Sequence, residues 1–258
     1  MSQNNRERLR QAQAAAARQQ RLTRIIGVGA AVLALVVVGV IIGVVVQQRN
    51  TTAASDAAAI TPPNATSDGK AIVQNPGKAK DGAPVVELFF DYQCPVCKQF
   101  ESAYGSALTA LAASGDIELH YRNMTFLDQN LNNDASTRAG IAAACADVVG
   151  AYSDFHNAIY ANQPATEGAG YTDTVLRDTI PASVGLTGTD LATFQSCYDN
   201  QSTKSFVNGT NELGQQDMLS INKQVSTPTV HVNGKDLPIN TIAEVSPDDL
   251  GELITKNA

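Results

Sequence analysis

Hydrophobic and polar positions divide the chain into three stretches. Ile25 to Val46 is an unbroken run of Ile, Val, Leu, Ala and Gly. As a helix it is about 33 Å long at 1.5 Å per residue, enough to cross a bilayer core. A cleavable signal has a shorter apolar stretch followed closely by a small-x-small site, whereas this run ends in Val46-Gln47-Gln48-Arg49. It is expected to be a transmembrane anchor over residues 25–46. Residues 47–66 show no periodicity and are rich in Thr, Ala, Ser and Asn around Pro62-Pro63; they predict a flexible linker.

From Ala71 the pattern becomes that of a folded domain, expected over 67–258. Ala71-Ile72-Val73 predicts a short strand, and Val85 to Phe90 a strong one after the Gly82-Ala83-Pro84 turn. A helix from about Cys94 to Ala112 follows, stopped by Ser114-Gly115, and Ile117 to Arg122 alternates as a third strand. Strand, helix, strand in this order is the signature of a parallel pair. From about 128 to 224 the chain is helical, with helices expected around Ala135–Val149, Tyr152–Ala161, Thr172–Pro181, Asp190–Asp199 and Ser202–Met218. Thr229 to Val232, Asn233-Gly234 and Lys235 to Leu237 predict a hairpin with a type I′ turn. Ser246-Pro247 opens a final helix that ends near Lys256.

Charge changes this picture in one respect. The net value is −7 over 258 residues, yet residues 1–24 carry Arg6, Arg8, Arg10, Arg18, Arg21 and Arg24 against Glu7 alone. The remainder is acidic, with 12 bases against 24 acids, a poor surface for nucleic acid. Six arginines before the apolar run and only Arg49 directly after it orient the anchor by the positive-inside rule. Residues 1–24 are expected in the cytoplasm and the acidic domain outside, on a single-pass membrane protein.

The chemistry is concentrated in Cys94-Pro95-Val96-Cys97, between a hydrophobic strand and a helix. At a helix start the first sulfur meets unpaired backbone N–H groups and the positive end of the helix dipole, which favour thiolate over thiol. A sulfur that leaves easily as thiolate makes a disulfide that is readily reduced and that oxidises other dithiols. Cys94 is therefore expected to be the exposed, attacked sulfur and Cys97 the resolving one. Zinc would require two further ligands, and the sequence offers isolated His120, His156 and His231 with distant cysteines. No metal or cofactor is expected. An inert disulfide is the other alternative, although so short a loop adds little chain-entropy stabilisation.

At these residues the chain resembles the thioredoxin superfamily, and more narrowly the DsbA-like exported thiol–disulfide oxidoreductases of membrane-anchored Gram-positive or actinobacterial type. The run Phe90-Asp91-Tyr92-Gln93-Cys94-Pro95-Val96-Cys97-Lys98-Gln99-Phe100 is similar to that family's active-site segment, and Ser226-Thr227-Pro228-Thr229 to its cis-proline loop. A long helical insertion between the two motifs, here about 128–224, also fits. The resemblance implies an α/β thioredoxin-like fold with a helical insertion and a cis Thr227–Pro228 bond packed against the cysteines. Backbone beside that bond would pair with an extended substrate strand, giving affinity without demanding a substrate sequence.

Two departures from the family stand out: Val96 replaces the His found in its best oxidants, and Leu88 replaces a buried acid that many relatives carry. Glu87 is one residue off, on the other strand face, and receives no proton-transfer role. Cys145 and Cys197, an even leftover pair in an oxidising compartment, are expected to form a structural disulfide, with two buried free thiols as the alternative. His231 invites a role as acid–base partner of Cys97, but a satisfied core or surface histidine is the expectation. Tyr92 and Phe126 either line the substrate groove or pack in the core. The resemblance implies an oxidase that introduces disulfides into exported proteins, re-oxidised by a membrane partner such as a DsbB-type or vitamin K epoxide reductase-like protein. Alternatives are a reductase or isomerase on the same fold, or a non-catalytic anchored binding module. With no coiled coil in the sequence, a monomer is expected.

Overall fold

The computed structural model describes residues 59–258. The basic arm, the apolar run and most of the linker lie outside the described residues. Among those described, no helix is long and apolar enough to cross a membrane.

Five strands form one mixed sheet in the order β1-β3-β2-β4-β5. They are β1 (Ile72–Gln74), β2 (Val85–Phe90), β3 (Glu118–Asn123), β4 (Thr229–Val232) and β5 (Lys235–Asp236). β2 and β3 are parallel, with Leu88 opposite Tyr121, and the other pairings are antiparallel. Both faces of β2 are covered, one by apolar side chains alone and the other by Phe89 beside the charged Glu87. Val86, Leu88 and Phe90 enter the main core together with Tyr92 and Cys97, while Phe89 packs with Met124 and Met218 on the reverse face. On that reverse face Arg122 is fully buried. It is paired with Glu87 and, at 2.9 Å, with Asp217, and its guanidinium lies 4.7 Å from the Phe89 ring centroid.

The crossover between β2 and β3 is α1, built from Pro95–Phe100, a π-helical turn Glu101–Gly105, and Ser106–Ser114. The sequence predicts an unbroken helix here, and the wide turn has a local cause. Glu101 turns inward, its Oε1 3.1 Å from His156 Nε2, and its carboxylate occupies the space that a Cβ on Gly105 would need. α1 ends at Gly115 in the left-handed region (φ +76°), where a side chain would collide with the Lys78 carbonyl.

The helical insertion between β3 and β4 comprises α2 (Leu127–Leu131), α3 (Ala135–Val148), α4 (Tyr152–Ala161), α5 (π-helical Val175–Thr179 continuing into Ile180–Ser183), α6 (Gly188–Asp199) and α7 (Lys204–Ile221). The Ala-rich α3 is buried along nearly its whole length. A Cys145–Cys197 disulfide joins α3 to α6. The hairpin turn has positive φ at both Asn233 and Gly234, as type I′ requires. Two short helical pieces, α8 (Ile239–Ile242) and a 3-10 turn Pro247–Asp249, lead into α9 (Leu250–Asn257).

The linker expectation needs correction at its C-terminal end. Ile60 N–H donates to Ser202 O at 2.7 Å, and Ala65 bridges to Ile72. Asn64 clasps the Asp147 carboxylate through its backbone N–H (2.9 Å) and its side-chain amide (2.8 Å). Pro62-Pro63-Asn64-Ala65 is a turn closed by Ala65 N–H on Pro62 O at 3.0 Å, with proline at its second position. Aperiodic sequence here encodes turns held by distant partners, so the folded body begins near Ile60.

Candidate active site

The end of β2 delivers the chain to the turn Asp91-Tyr92-Gln93, closed by Cys94 N–H on Asp91 O at 3.0 Å. Cys94 is the N-cap of α1 in extended conformation (φ −74°, ψ 118°), with Pro95 as the first helical residue. Proline fits there because that position has no helical acceptor for an N–H. The first turn is thus left with open N–H groups directed at the Cys94 sulfur.

Exposure along the motif is sharply graded: Cys94 7%, Val96 51%, Cys97 0%. The sequence expectation of an exposed Cys94 is corrected: Cys94 is buried like Cys97, because the turn before it and the Thr227–Pro228 loop cover it, and Val96 is the exposed residue of the motif. Both thiols are unbonded. The Cys94 thiol is lowered to about 6, chiefly by a hydrogen bond from Cys97 and also by the backbone N–H groups of Cys97 and Val96 and by Thr227, against an opposing effect of burial. Burial, and then the neighbouring Cys94, push Cys97 well above its ordinary value. One sulfur is poised as thiolate at neutral pH and the other is kept protonated beside it.

Thr227 and Pro228, some 130 residues away in sequence, close the other side. The Thr227–Pro228 peptide is cis, and the Thr227 carbonyl lies 3.5 Å from Cys94 Sγ. The structure therefore brings together Cys94, Pro95, Val96, Cys97, Thr227 and Pro228, while the Cys145–Cys197 bridge sits within the insertion.

Sequence reasoning missed the residues that hold the turn. Tyr160 OH donates to Asp91 O at 3.3 Å, Tyr171 OH to Tyr92 O at 2.7 Å, and Gln163 Nε2 to both Tyr92 O (2.8 Å) and Cys94 O (3.0 Å). Ser136 Oγ donates to the Asp91 carboxylate at 2.6 Å, and Gln93 Nε2 meets Asp128, Asn133 and Ser136 at 2.8 to 2.9 Å. Asp91 is raised to about 7, mainly by burial, with the Ser136 and Gln93 hydrogen bonds opposing the rise. No local pattern marks these partners, because each comes from the insertion and meets the turn only after folding.

Other candidates fall elsewhere. Tyr92 is fully buried and its hydroxyl pairs with His156 Nδ1 at 2.9 Å, so it is a core residue and lines no groove. Phe126 is half-buried against Phe89, Met124 and Met218. His231 contacts the Phe89 ring (4.7 Å) and Asn222 Oδ1 (2.7 Å from Nε2) on the reverse sheet face, and burial lowers its pKa. It is a core histidine, on the opposite face from the cluster that holds Cys97. Glu87 serves Arg122, and Leu88 is wholly buried. Among the described residues there is no cluster of three or more metal-ligating side chains.

A Cys-x-x-Cys opening a helix against a cis-proline, with a helical insertion between the two, defines a thiol–disulfide oxidoreductase of the DsbA type. The chain belongs to the thioredoxin family, whose model, described as Thioredoxin, matches residues 77–256. It is similar to Disulfide bond formation protein D of Bacillus subtilis, 28% identical over 197 residues that span 75% of this chain and 81% of that protein. Among solved structures it resembles oxidised BdbD of Bacillus subtilis, at 25% identity and a TM-score of 0.55 over 77% of this chain and 97% of that one. It also resembles MdbA, a thiol-disulfide oxidoreductase of Corynebacterium diphtheriae, with a TM-score of 0.59 at 20% identity over 78% and 98% of the two chains; this likeness speaks for the fold.

Proposed function

We propose that this protein is a membrane-anchored oxidase that introduces disulfides into exported proteins through Cys94 and Cys97. The observation that carries the reading is the geometry of the pair: Cys94 caps the open start of α1, Cys97 is fully buried one turn in, and the carbonyl of the cis Thr227–Pro228 peptide lies 3.5 Å from Cys94 Sγ, a setting that holds the Cys94 thiol low and pushes Cys97 up. In the disulfide form a substrate thiolate attacks Cys94 Sγ, the Cys94–Cys97 bond breaks, and the electron pair leaves on Cys97, which is protonated. A second substrate thiolate then attacks the mixed disulfide, its new S–S bond forms, and Cys94 departs as thiolate. The substrate dithiol has lost two electrons and the enzyme dithiol has gained them. The Thr227–Pro228 edge receives the substrate backbone by strand addition.

The anchor and its orientation rest on the apolar run 25–46 and the arginine-rich residues 1–24. On this reading the arm lies in the cytoplasm and the folded domain, which begins near Ile60 after a shorter linker, lies outside the membrane. Turnover calls for a membrane re-oxidant of DsbB or vitamin K epoxide reductase-like type, working on a monomer. The name of the Bacillus subtilis relative supports disulfide formation as the direction of flow.

The test is the equilibrium reduction potential of the Cys94–Cys97 pair in the full chain, solubilised in detergent and titrated against glutathione. A value between about −180 and −100 mV, the range from protein disulfide isomerase to DsbA, is expected. A value at or below about −250 mV, near thioredoxin, overturns the oxidase in favour of a reductase.

A further inference from the structure

We propose that Gln163 and Tyr171 are positioning residues for the Cys94 thiolate, acting as a two-donor latch on the Tyr92 carbonyl that fixes the turn presenting Cys94 to the start of α1. This rests on the reading of Cys94 as the attacked sulfur. The two donors converge on one atom: Tyr171 OH lies 2.7 Å and Gln163 Nε2 2.8 Å from Tyr92 O. The same Gln163 nitrogen also reaches Cys94 O at 3.0 Å. Both side chains are buried. Gln163 is itself held, its N–H donating to Tyr160 O at 3.1 Å and its carbonyl accepting from Lys98 Nζ at 3.4 Å.

Gln163 and Tyr171 sit at the two ends of the loop that joins α4 to α5, whose tip at Thr166 and Glu167 is exposed. Gly168 and Gly170 take positive φ (83° and 67°) and turn the loop back, so that both of its ends close on the same turn. The insertion thus grips the active-site segment from outside the sheet.

The grip matters because the Cys94 sulfur has few other supports. Residues Pro95, Val96 and Cys97 of the first helical turn carry no charge, so the thiolate depends on backbone N–H groups, the Cys97 thiol and Thr227. Hydrogen bonds of this kind weaken steeply with misalignment. The alignment of Cys94 Sγ with the Val96 and Cys97 N–H groups follows from the extended ψ of Cys94, and the atoms held are the carbonyl of Tyr92, inside the turn, and that of Cys94 itself. Without the latch, the buried Tyr92 carbonyl loses both of these acceptor contacts and the turn rotates to find others.

The test uses the full chain in detergent with the Cys145–Cys197 bridge intact and compares Gln163→Met, Tyr171→Phe, the double variant and the loop-tip control Thr166→Ala. The readouts are thiolate titration of Cys94 by ultraviolet absorbance, the equilibrium potential against glutathione, and the thermal midpoint. In the double variant the Cys94 midpoint is expected to rise by about one pH unit, a roughly tenfold loss of thiolate stability, and the potential to become more negative. The single variants should shift less, because one donor still serves Tyr92 O, and Thr166→Ala should shift nothing.

An unchanged Cys94 midpoint and potential in the double variant, whatever happens to its thermal midpoint, overturns the latch. Should the double variant fail to fold, the single variants decide: no rise in either overturns it. Cys94→Ser separates this outcome from failure of the functional reading. If Cys94→Ser still oxidises dithiols the assignment of Cys94 itself falls; if it is inactive while the latch variants titrate like the parent, the latch alone falls.

Discussion

Cys94 and Cys97 stand within one turn at the start of α1, whereas Cys145 and Cys197 lie 52 residues apart on α3 and α6. The difference in chemistry follows from where each sulfur meets the backbone. At the start of α1 the N–H groups of Val96 and Cys97 lack helical acceptors and stabilise the Cys94 thiolate. In α3, Cys145 lies ten residues past the helix start, where backbone N–H groups are already taken by the helix. It is fully buried, with Thr203 Oγ1 at 3.6 Å from its sulfur. A thiolate there would be poorly solvated, which disfavours opening the bridge and makes it structural. Loop length reinforces the contrast. Closing about 50 residues stabilises by roughly 4 kcal/mol in the chain-entropy model, and closing the two residues between Cys94 and Cys97 adds little.

The largest effect that separates the pairs is covalent trapping. Cys97→Ala removes the resolving sulfur, so Cys94 should accumulate as mixed disulfides with substrate proteins, visible as reductant-sensitive adducts on non-reducing gels. Cys145→Ala/Cys197→Ala should form none. Adducts that persist in a Cys94→Ser/Cys97→Ala background would break the comparison, because they would make the second pair reactive as well.

Next comes stability. Cys145→Ala/Cys197→Ala is expected to lose about 4 kcal/mol in denaturant unfolding, while dithiol oxidation well below the unfolding midpoint stays close to that of the parent. A variant as stable as the parent would show that the bridge is dispensable. A folded variant with a shifted Cys94–Cys97 potential would show that the two pairs are coupled through α3, which carries Ser136 to the Asp91 carboxylate.

These two regions also differ in how far the sequence exposes them. The alternation of Val85 to Phe90, the Cys-Pro-Val-Cys spacing, the Thr-Pro before the last strand pair and the Asn-Gly hairpin are local signals, and local chemistry determines them. The helices around 135–149, 152–161 and 190–199 were also legible in the sequence, although the Ala-rich 135–149 is buried along nearly its whole length and shows no amphipathic pattern. The segment around 172–181 is π-helical in part, and α2 is a single short turn with no buried face, so periodicity described the first loosely and missed the second. Residues 60–66 looked like linker because turns stapled by Asn64–Asp147 and Ile60–Ser202 leave no periodic trace. The same reason hides Tyr160, Gln163, Tyr171 and Ser136. Their partners are 45 to 79 residues away, and only the fold of the insertion brings them to the active-site turn.

The smallest effect concerns two buried acids, one in each region. Asp91, behind the reactive pair, is raised to about 7 by burial and by the nearby Asp128 charge, despite hydrogen bonds from Ser136, Gln93 and Leu127. Asp147, two residues from Cys145, is also raised by burial, but the two Asn64 N–H groups oppose the shift and no second carboxylate adds to it. In both cases the folded state holds a proton that the unfolded chain has released. Stability should therefore fall as pH rises above about 4, and for Asp91 this continues to about 7. The slope for one such group is about 1.4 kcal/mol per pH unit. In the dithiol form Cys94 works the other way, since its lowered pKa adds stability as pH rises from about 6. The measurement therefore belongs in the Cys94–Cys97 disulfide form, where neither thiol titrates. Unfolding between pH 4.5 and 6.5 should then become markedly less pH-dependent in Asp91→Asn than in Asp147→Asn. Equal slopes in the two variants and the parent would mean that Asp91 stays ionised, with Ser136, Gln93 and Leu127 fully compensating its burial.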